Sequence, residues 1–391
     1  MSKEPIQIRV SDSLKVVQAE DWDRMVGEGS PFLEYTWLRG LEETGCLEPD
    51  EGWMPQILTA WQGERLVGGV PLYLKGNSYG EFVYDWSWAN LASQLGVPYY
   101  PKLIAAVPFT PVTGHRWLVD PTLEKDEQGR VLEALVEGSK AWARQSGVLG
   151  LHFLFVPQWQ AEFLAERGLM IRLAHQYHWR NPGYSSFDDF LARFNSRRRN
   201  KLKRERKELA KAGMSLEFLA GDQITTDHMA HVLRFYKDTC RKFGPWTSQY
   251  LKDDFFELLH QKFTDRLQLV LAHDSDGEVI AGTFSLHKGK RLYGRYWGCF
   301  RDVPFLHFNA CYYAPIERAI ELGVDVYEPG QGGHHKYKRG FEPTLMYSAH
   351  WLADERFRGL IEHFLERERA AVKEEVGHML EQSPLKPWPL T

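Results

Sequence analysis

The chain repeats itself. Gln56-Ile57-Leu58-Thr59-Ala60 leads through Gly68-Gly69 to Tyr73-Leu74-Lys75-Gly76 and then to Tyr79-Gly80. Two hundred residues on, Gln268-Leu269-Val270-Leu271-Ala272 leads through Ala281-Gly282 to Leu286-His287-Lys288-Gly289 and then to Tyr293-Gly294. A second match follows in the same order. Arg167-Gly168-Leu169 precedes His178-Trp179 by the interval that separates Arg339-Gly340-Phe341 from His350-Trp351. Two ordered matches point to a duplicated α/β unit, with a site where the copies meet or where one copy has diverged.

The length of 391 residues fits two domains, each able to bury a core. The turn cluster Asn181-Pro182-Gly183 marks the expected boundary, giving domains 1–182 and 183–391. Cys46, Cys240, Cys299 and Cys311 lack metal-type spacing and read as thiols in a reducing compartment. The first residues have no apolar signal region, and no window approaches 18 uninterrupted apolar residues. A cytoplasmic protein without a membrane span is expected. Charge is uneven: residues 193–211 hold ten Lys and Arg against Glu205 and Glu208, inside a chain of net charge −4. A basic helix on an otherwise acidic protein asks for an anionic partner or an acidic surface.

Periodicity gives each half the same order of elements. In the first half, a helix over Pro31–Glu43 precedes strands Gln56–Ala60 and Leu66–Leu74. Strand Arg116–Val119, helix Val131–Ser146, strand Leu149–Phe155, helix Trp159–Arg167 and strand Ile171–Trp179 follow. In the second half, helices Met229–Phe243, stopped at Gly244-Pro245, and Tyr250–Lys262 precede the hairpin Leu267–His273 and Glu278–His287. Strand Arg291–Phe300, helix Ala310–Leu322, strand Asp325–Glu328, closing strand Thr344–Leu352 and helix Phe357–Glu375 complete it. By analogy this is the order of the N-acetyltransferase-like (GNAT) fold, in which two central strands splay around an acyl donor. The expected fold class is α/β (α+β), two tandem GNAT-like domains.

Several segments together carry a resemblance. They are Tyr73-Leu74-Lys75 with Ser78-Tyr79-Gly80-Glu81, Phe109-Thr110-Pro111-Val112-Thr113-Gly114, and Gly294-Arg295-Tyr296-Trp297-Gly298. Glu328-Pro329-Gly330 through His335-Lys336, Arg339-Gly340-Phe341 and Ser348-Ala349-His350-Trp351 join them. From about Phe32 to Glu368 the chain resembles the FemAB-like "peptidoglycan biosynthesis/recognition" group of predicted N-acyltransferases. That group is similar to Fem-type peptidyltransferases, which pair two GNAT-like domains and move an aminoacyl group from aminoacyl-tRNA to an amine of a cell-wall precursor. Their F-K-x-G-F stretch is approached by Tyr337-Lys338-Arg339-Gly340-Phe341, with Tyr in place of the first Phe.

Attack of an amine on an activated acyl group needs a neutral amine, alignment, and donors for the oxyanion, but no covalent nucleophile. The loop Glu328-Pro329-Gly330-Gln331-Gly332-Gly333-His334-His335-Lys336 suits this. It is glycine-rich, follows a strand, and has only apolar Leu154-Phe155-Val156-Pro157-Gln158 opposite it in the first half. Gly332 and Gly333 can present amides to an anion, Lys336, Lys338 or Arg339 can hold a phosphate or oxyanion, and His335 can take the amine proton. Glu328 opens the loop and counts with His335, Lys336 and Tyr296 as a candidate for chemistry; the competing reading of the loop is a plain surface turn. Adjacent His334 and His335 point apart and lack a third ligand, so no metal is expected.

Tyr296 can donate to the oxyanion, with Arg295 and Trp297 as further candidates for binding substrate. Alternation sends Arg295 and Trp297 to one face and Tyr296 to the other, so the three are not expected in one pocket. Asp85 and Trp86, in an aromatic stretch without a helix pattern, either orient the acceptor or, for Asp85, cap a turn beside core tryptophans. Arg197, Arg198, Arg199, Lys201 and Lys203 on the basic helix suit a phosphate backbone, or simply a solvated face.

No tightly bound cofactor is expected. The co-substrate is aminoacyl-tRNA or acyl-CoA, and the acceptor is a small or peptide-like amine. Neither half shows the R/Q-x-x-G-x-G/A loop that grips the pyrophosphate of CoA: the places read Pro121-Thr122-Leu123-Glu124-Lys125-Asp126-Glu127 and Phe300-Arg301-Asp302-Val303-Pro304. This favours aminoacyl-tRNA. Acyl-CoA-dependent transfer, or a non-catalytic protein binding a precursor or RNA, remain the alternatives.

Overall fold

The computed structural model describes residues 4–243 and 249–387. The expected helix stop at Gly244-Pro245 lies outside the described residues. The chain forms two compact units, and neither is continuous in sequence. Unit 1 comprises 1–174 and 345–374, and unit 2 comprises 175–344 and 375–391.

The strands of the first half are β1 (Gln7–Ser11), β2 (Trp53–Pro55), β3 (Ile57–Gln62), β4 (Arg65–Val70), β5 (Leu72–Lys75), β6 (Lys102–Ala105), β7 (Leu118–Val119), β8 (Gly150–Val156) and β9 (Met170–Arg180). Those of the second half are β10 (Ser215–Ala220), β11 (Leu267–His273), β12 (Val279–Lys288), β13 (Arg291–Cys299), β14 (Val326–Glu328) and β15 (Glu342–Leu352).

Each unit is built around one parallel pair. In unit 1, β6 runs parallel to β8, with Leu103 beside Leu151. In unit 2, β13 runs parallel to β14, with Arg291 beside Val326. An antiparallel hairpin matches in both, β3–β4 and β11–β12, as the repeat predicts. The halves differ at Pro71. β4 pairs with β7 in one sheet and β5 with β6 in another, whereas β12 continues unbroken beside β13. Proline has no N–H for the ladder, so the expected strand Leu66–Leu74 divides there.

The closing strands are exchanged. β9 ends in unit 2, where Trp179 and Arg180 pair with β14, and β15 ends in unit 1, where Trp351 and Leu352 pair with β8. The linear division at 182 expected from the turn cluster therefore differs from the units found. The helix Glu355–Glu381 likewise packs Phe357, Ile361 and Leu365 into the unit 1 core beside Trp88 and Tyr99. A helix over Trp86–Gln94, unexpected from the sequence, carries that Trp88.

Beyond the parallel pair of unit 1, buried Arg116 donates to the carbonyls of Leu154 (2.6 Å), Val112 (2.9 Å) and His115 (3.0 Å). The strand expected at Arg116–Val119 shrinks to Leu118–Val119. No helix among the described residues is long and apolar enough to cross a membrane.

Candidate active site

In unit 2 there is open space beside the parallel pair. A cavity of about 500 Å³ lies between β13 and the loop after β14. Its wall includes Ser285, Arg295, Tyr296, Trp297, His307, Tyr312, Tyr327, Gly332, Gly333, His335 and Lys336. The loop reaches β13 closely because Gly294 has no side chain: a Cβ there would stand 2.9 Å from the Tyr327 hydroxyl and 3.2 Å from Pro329. Gly333, at φ +85°, gives way to the His335 ring, which a Cβ would meet at 2.8 Å.

Arg295, Tyr296 and Trp297 all line this cavity, against the expectation from alternation. The cause is a β-bulge. Phe284 pairs with Tyr296 but Ser285 with Gly294, so Arg295 is the extra residue and the two-residue period breaks there. The Arg295 guanidinium lies 5.2 Å from the Tyr296 ring centre.

His335 Nε2 stands 2.8 Å from the Tyr312 hydroxyl. Burial lowers the His335 pKa below the usual imidazole value, helped by the charges of Lys336 and Arg339 and by His334. Burial first, then His335, Lys336 and Arg339, depresses His307 to about 4. Two neutral imidazoles therefore face the cavity. Tyr312 comes from the π-helical turn Asn309–Tyr313, part of what the sequence reads as one helix. His334 is exposed, its Nδ1 3.3 Å from the Tyr177 hydroxyl, so His335 is the member of the pair in the cavity.

Lys336 is 4% exposed, and its ammonium donates to the carbonyls of Gly330 (2.6 Å) and Gln331 (3.3 Å). It clamps its own loop at the cavity wall. Burial lowers its pKa to about 8.

Several expected site residues lie elsewhere. Glu328 is buried and paired with Arg291 at 2.7 Å, outside the lining. Its position at the end of the parallel ladder explains this, since the carboxylate neutralises a guanidinium on the neighbouring strand. Lys338 is exposed and does not line the cavity. Arg339 is buried behind the loop, donating to the His335 carbonyl at 3.1 Å rather than to the cavity.

Asp85 and Trp86 belong to unit 1. Asp85 is buried, bonded to Lys102, to Ser78 at 2.6 Å and to the Tyr99 hydroxyl at 2.5 Å, a core ion pair rather than an acceptor site. Trp86 is 47% exposed. His307, Tyr312 and Tyr327 were not singled out from sequence; they sit inside patterns that read as loop, helix and strand.

The basic helix spans Ser196–Lys211, capped by the Asn195 side chain, which accepts from the Arg198 N–H. A concavity of about 840 Å³ is lined by Asn195, Arg197, Arg198, Asn200, Lys201 and Arg204. Lys203 pairs with Asp188 at 3.1 Å. Among the described residues, Arg197, Arg198, Arg199 and Lys201 make no ion pair.

A family model described as FemAB-like, peptidoglycan biosynthesis/recognition, matches residues 13–387. The chain belongs to the FemAB-like family. The expected class, an acyltransferase of two GNAT-like domains, agrees with that membership. Comparison with curated proteins finds no match.

Among solved structures, the FemAB-like chain is similar to FemX, with a TM-score of 0.53 at 13% identity, covering 88% of this chain and 98% of that one. L-PGS from Bacillus licheniformis gives a TM-score of 0.52 at 9% identity, covering 90% and 97%. The C-terminal domain of a putative lysylphosphatidylglycerol synthetase from Agrobacterium fabrum gives 0.54 at 12% identity, covering 88% and 96%. At these identities the likeness establishes the fold.

Proposed function

We propose that the chain moves an acyl group, with aminoacyl-tRNA the favoured donor, to the amine of a small or peptide-like acceptor. The observation that carries this reading is the His335–Tyr312 pair on the wall of the cavity in unit 2. With its Nε2–H donated to Tyr312, His335 keeps Nδ1 free to accept a proton. The neutral amine attacks the donor carbonyl, forming the C–N bond. Arg295, the Tyr296 hydroxyl and the amides of Gly332 and Gly333 then serve the oxyanion. As the bond to the donor oxygen breaks, the proton taken by His335 passes to that oxygen. The basic helix would hold phosphates of the donor.

Deacylated tRNA is the first test. Its affinity is expected to fall steeply with salt, and charge reversal at Arg198, Arg199 and Lys201 should flatten the slope by about one per phosphate contact removed. No binding at low salt would remove the tRNA donor. A rise in melting temperature with acyl-CoA instead would transfer the reading to that co-substrate.

The rate should follow a bell in pH. The acid limb lies below pH 6.5, because the lowered His335 pKa keeps the base unprotonated down to that range. The alkaline limb lies near pH 8, where Lys336 gives up its charge. Lys336→Arg, whose charge does not titrate, should lose the alkaline limb and keep the acid one. A limb near pH 8 that persists in this variant would clear Lys336 of the titration.

A further inference from the structure

Glu205 is a carboxylate set among ten cations, and its partners lie off its own helix. It is 2% exposed, on the inward face with Leu202 and Leu209. Arg339 grips it with Nη2 at 3.1 Å and 3.0 Å from its two oxygens and Nε at 3.3 Å. The Tyr313 hydroxyl also donates to it. The other end of Arg339 donates through Nη1 to the His335 carbonyl at 3.1 Å, and its guanidinium lies 3.3 Å from the centre of the Phe308 ring. Tyr312 and Tyr313 are consecutive in the π-helical turn; one meets His335 and the other Glu205. A continuous chain of charge-assisted hydrogen bonds therefore runs from the basic helix to the backbone of the candidate base.

We infer that Glu205 is a positioning residue that ties the phosphate-facing helix to the His335 loop, so that an anion seated on the helix is felt at the imidazole. The inference rests on the reading of His335 and the basic helix given above. Three considerations favour it over simple stability. A buried ion pair is often no more stabilising than apolar side chains of the same volume, so stability alone does not account for one here. The bidentate geometry fixes direction as well as distance, which apolar packing does not. The outward cations of the same helix carry no ion pairs among the described residues at Arg197, Arg198, Arg199 and Lys201, leaving that face open to a polyanion.

The test uses the full chain with isotope-labelled histidine and inorganic tripolyphosphate as the probe. The His335 resonance is assigned by its loss in His335→Gln. Saturating tripolyphosphate should move the His335 signal and its titration midpoint, while exposed His363 stays still. Charge reversal at Arg198 and Arg199 should abolish the response, which excludes direct entry of the probe into the cavity. Glu205→Gln should still bind the probe but leave His335 silent, and Glu205→Asp should restore part of the response. If Glu205→Gln does not fold, Arg339→Lys, which keeps the charge and loses the fork, should cut the response at least severalfold.

Binding by the wild-type chain without a His335 response overturns the inference alone. An undiminished response in either Glu205→Gln or Arg339→Lys does the same. A wild-type chain that takes up no tripolyphosphate overturns both the inference and the phosphate-binding part of the proposed function.

Discussion

Lys102→Ala is expected to destabilise unit 1 by about 3–5 kcal/mol, because it strips the partner from two buried carboxylates. Lys102 is 1% exposed and donates to Glu81 at 2.6 Å, to Ser78 at 2.9 Å and to Asp85. Burial works against its charge, but Glu81 and Asp85 more than offset that, and its pKa is raised. Glu81 is pushed up to about 7 by burial, even with Lys102 beside it. Removing the ammonium would leave both acids to bind protons or force the core open. The urea midpoint should fall at constant slope. The triple change Lys102→Met, Glu81→Gln, Asp85→Asn should recover much of the loss, since no buried charge is then left alone. A single variant as stable as the triple one would show that shape, not charge pairing, sets the stability of this cluster.

His335→Ala is expected to lower kcat about 10²–10⁴-fold, the usual contribution of a positioned general base. The donor KM should change little, because the imidazole acts on a proton that moves only in the transition state. Tyr312→Phe should lose less, since it removes a partner that orients the ring rather than the group that takes the proton. The two variants together should cost less than the product of their separate effects, as expected for groups acting in one unit. A His335→Ala chain of unchanged kcat would end the proposed role of the imidazole.

The two hairpins and the fold class were legible, because hydrophobic alternation and turn residues carry that information locally. The exchange of closing strands was not. Ile171–Trp179 and Thr344–Leu352 read correctly as strands, but periodicity says which face is buried, not which neighbour is paired. The break at Pro71 did have a signal, a proline inside a strand pattern, and it outweighs the continuity suggested by the repeat. The divergent glycine loop led to His335 and Lys336, both of which line the cavity. Its neighbours Glu328 and Arg339 carry the same chemical promise but are neutralised by Arg291 and Glu205, partners 37 and 134 residues away in sequence. One inserted residue at Arg295 defeats alternation, and one π-helical turn brings in Tyr312; neither leaves a mark in composition.

The crossing of β9 and β15 has a consequence for how such a protein can change. A gene cut near codon 182 would yield two products, each missing the strand that seals its own sheet. Each half of the chain thus supplies a strand that the other half's unit is built with, so a change in either strand is felt outside the half that encodes it.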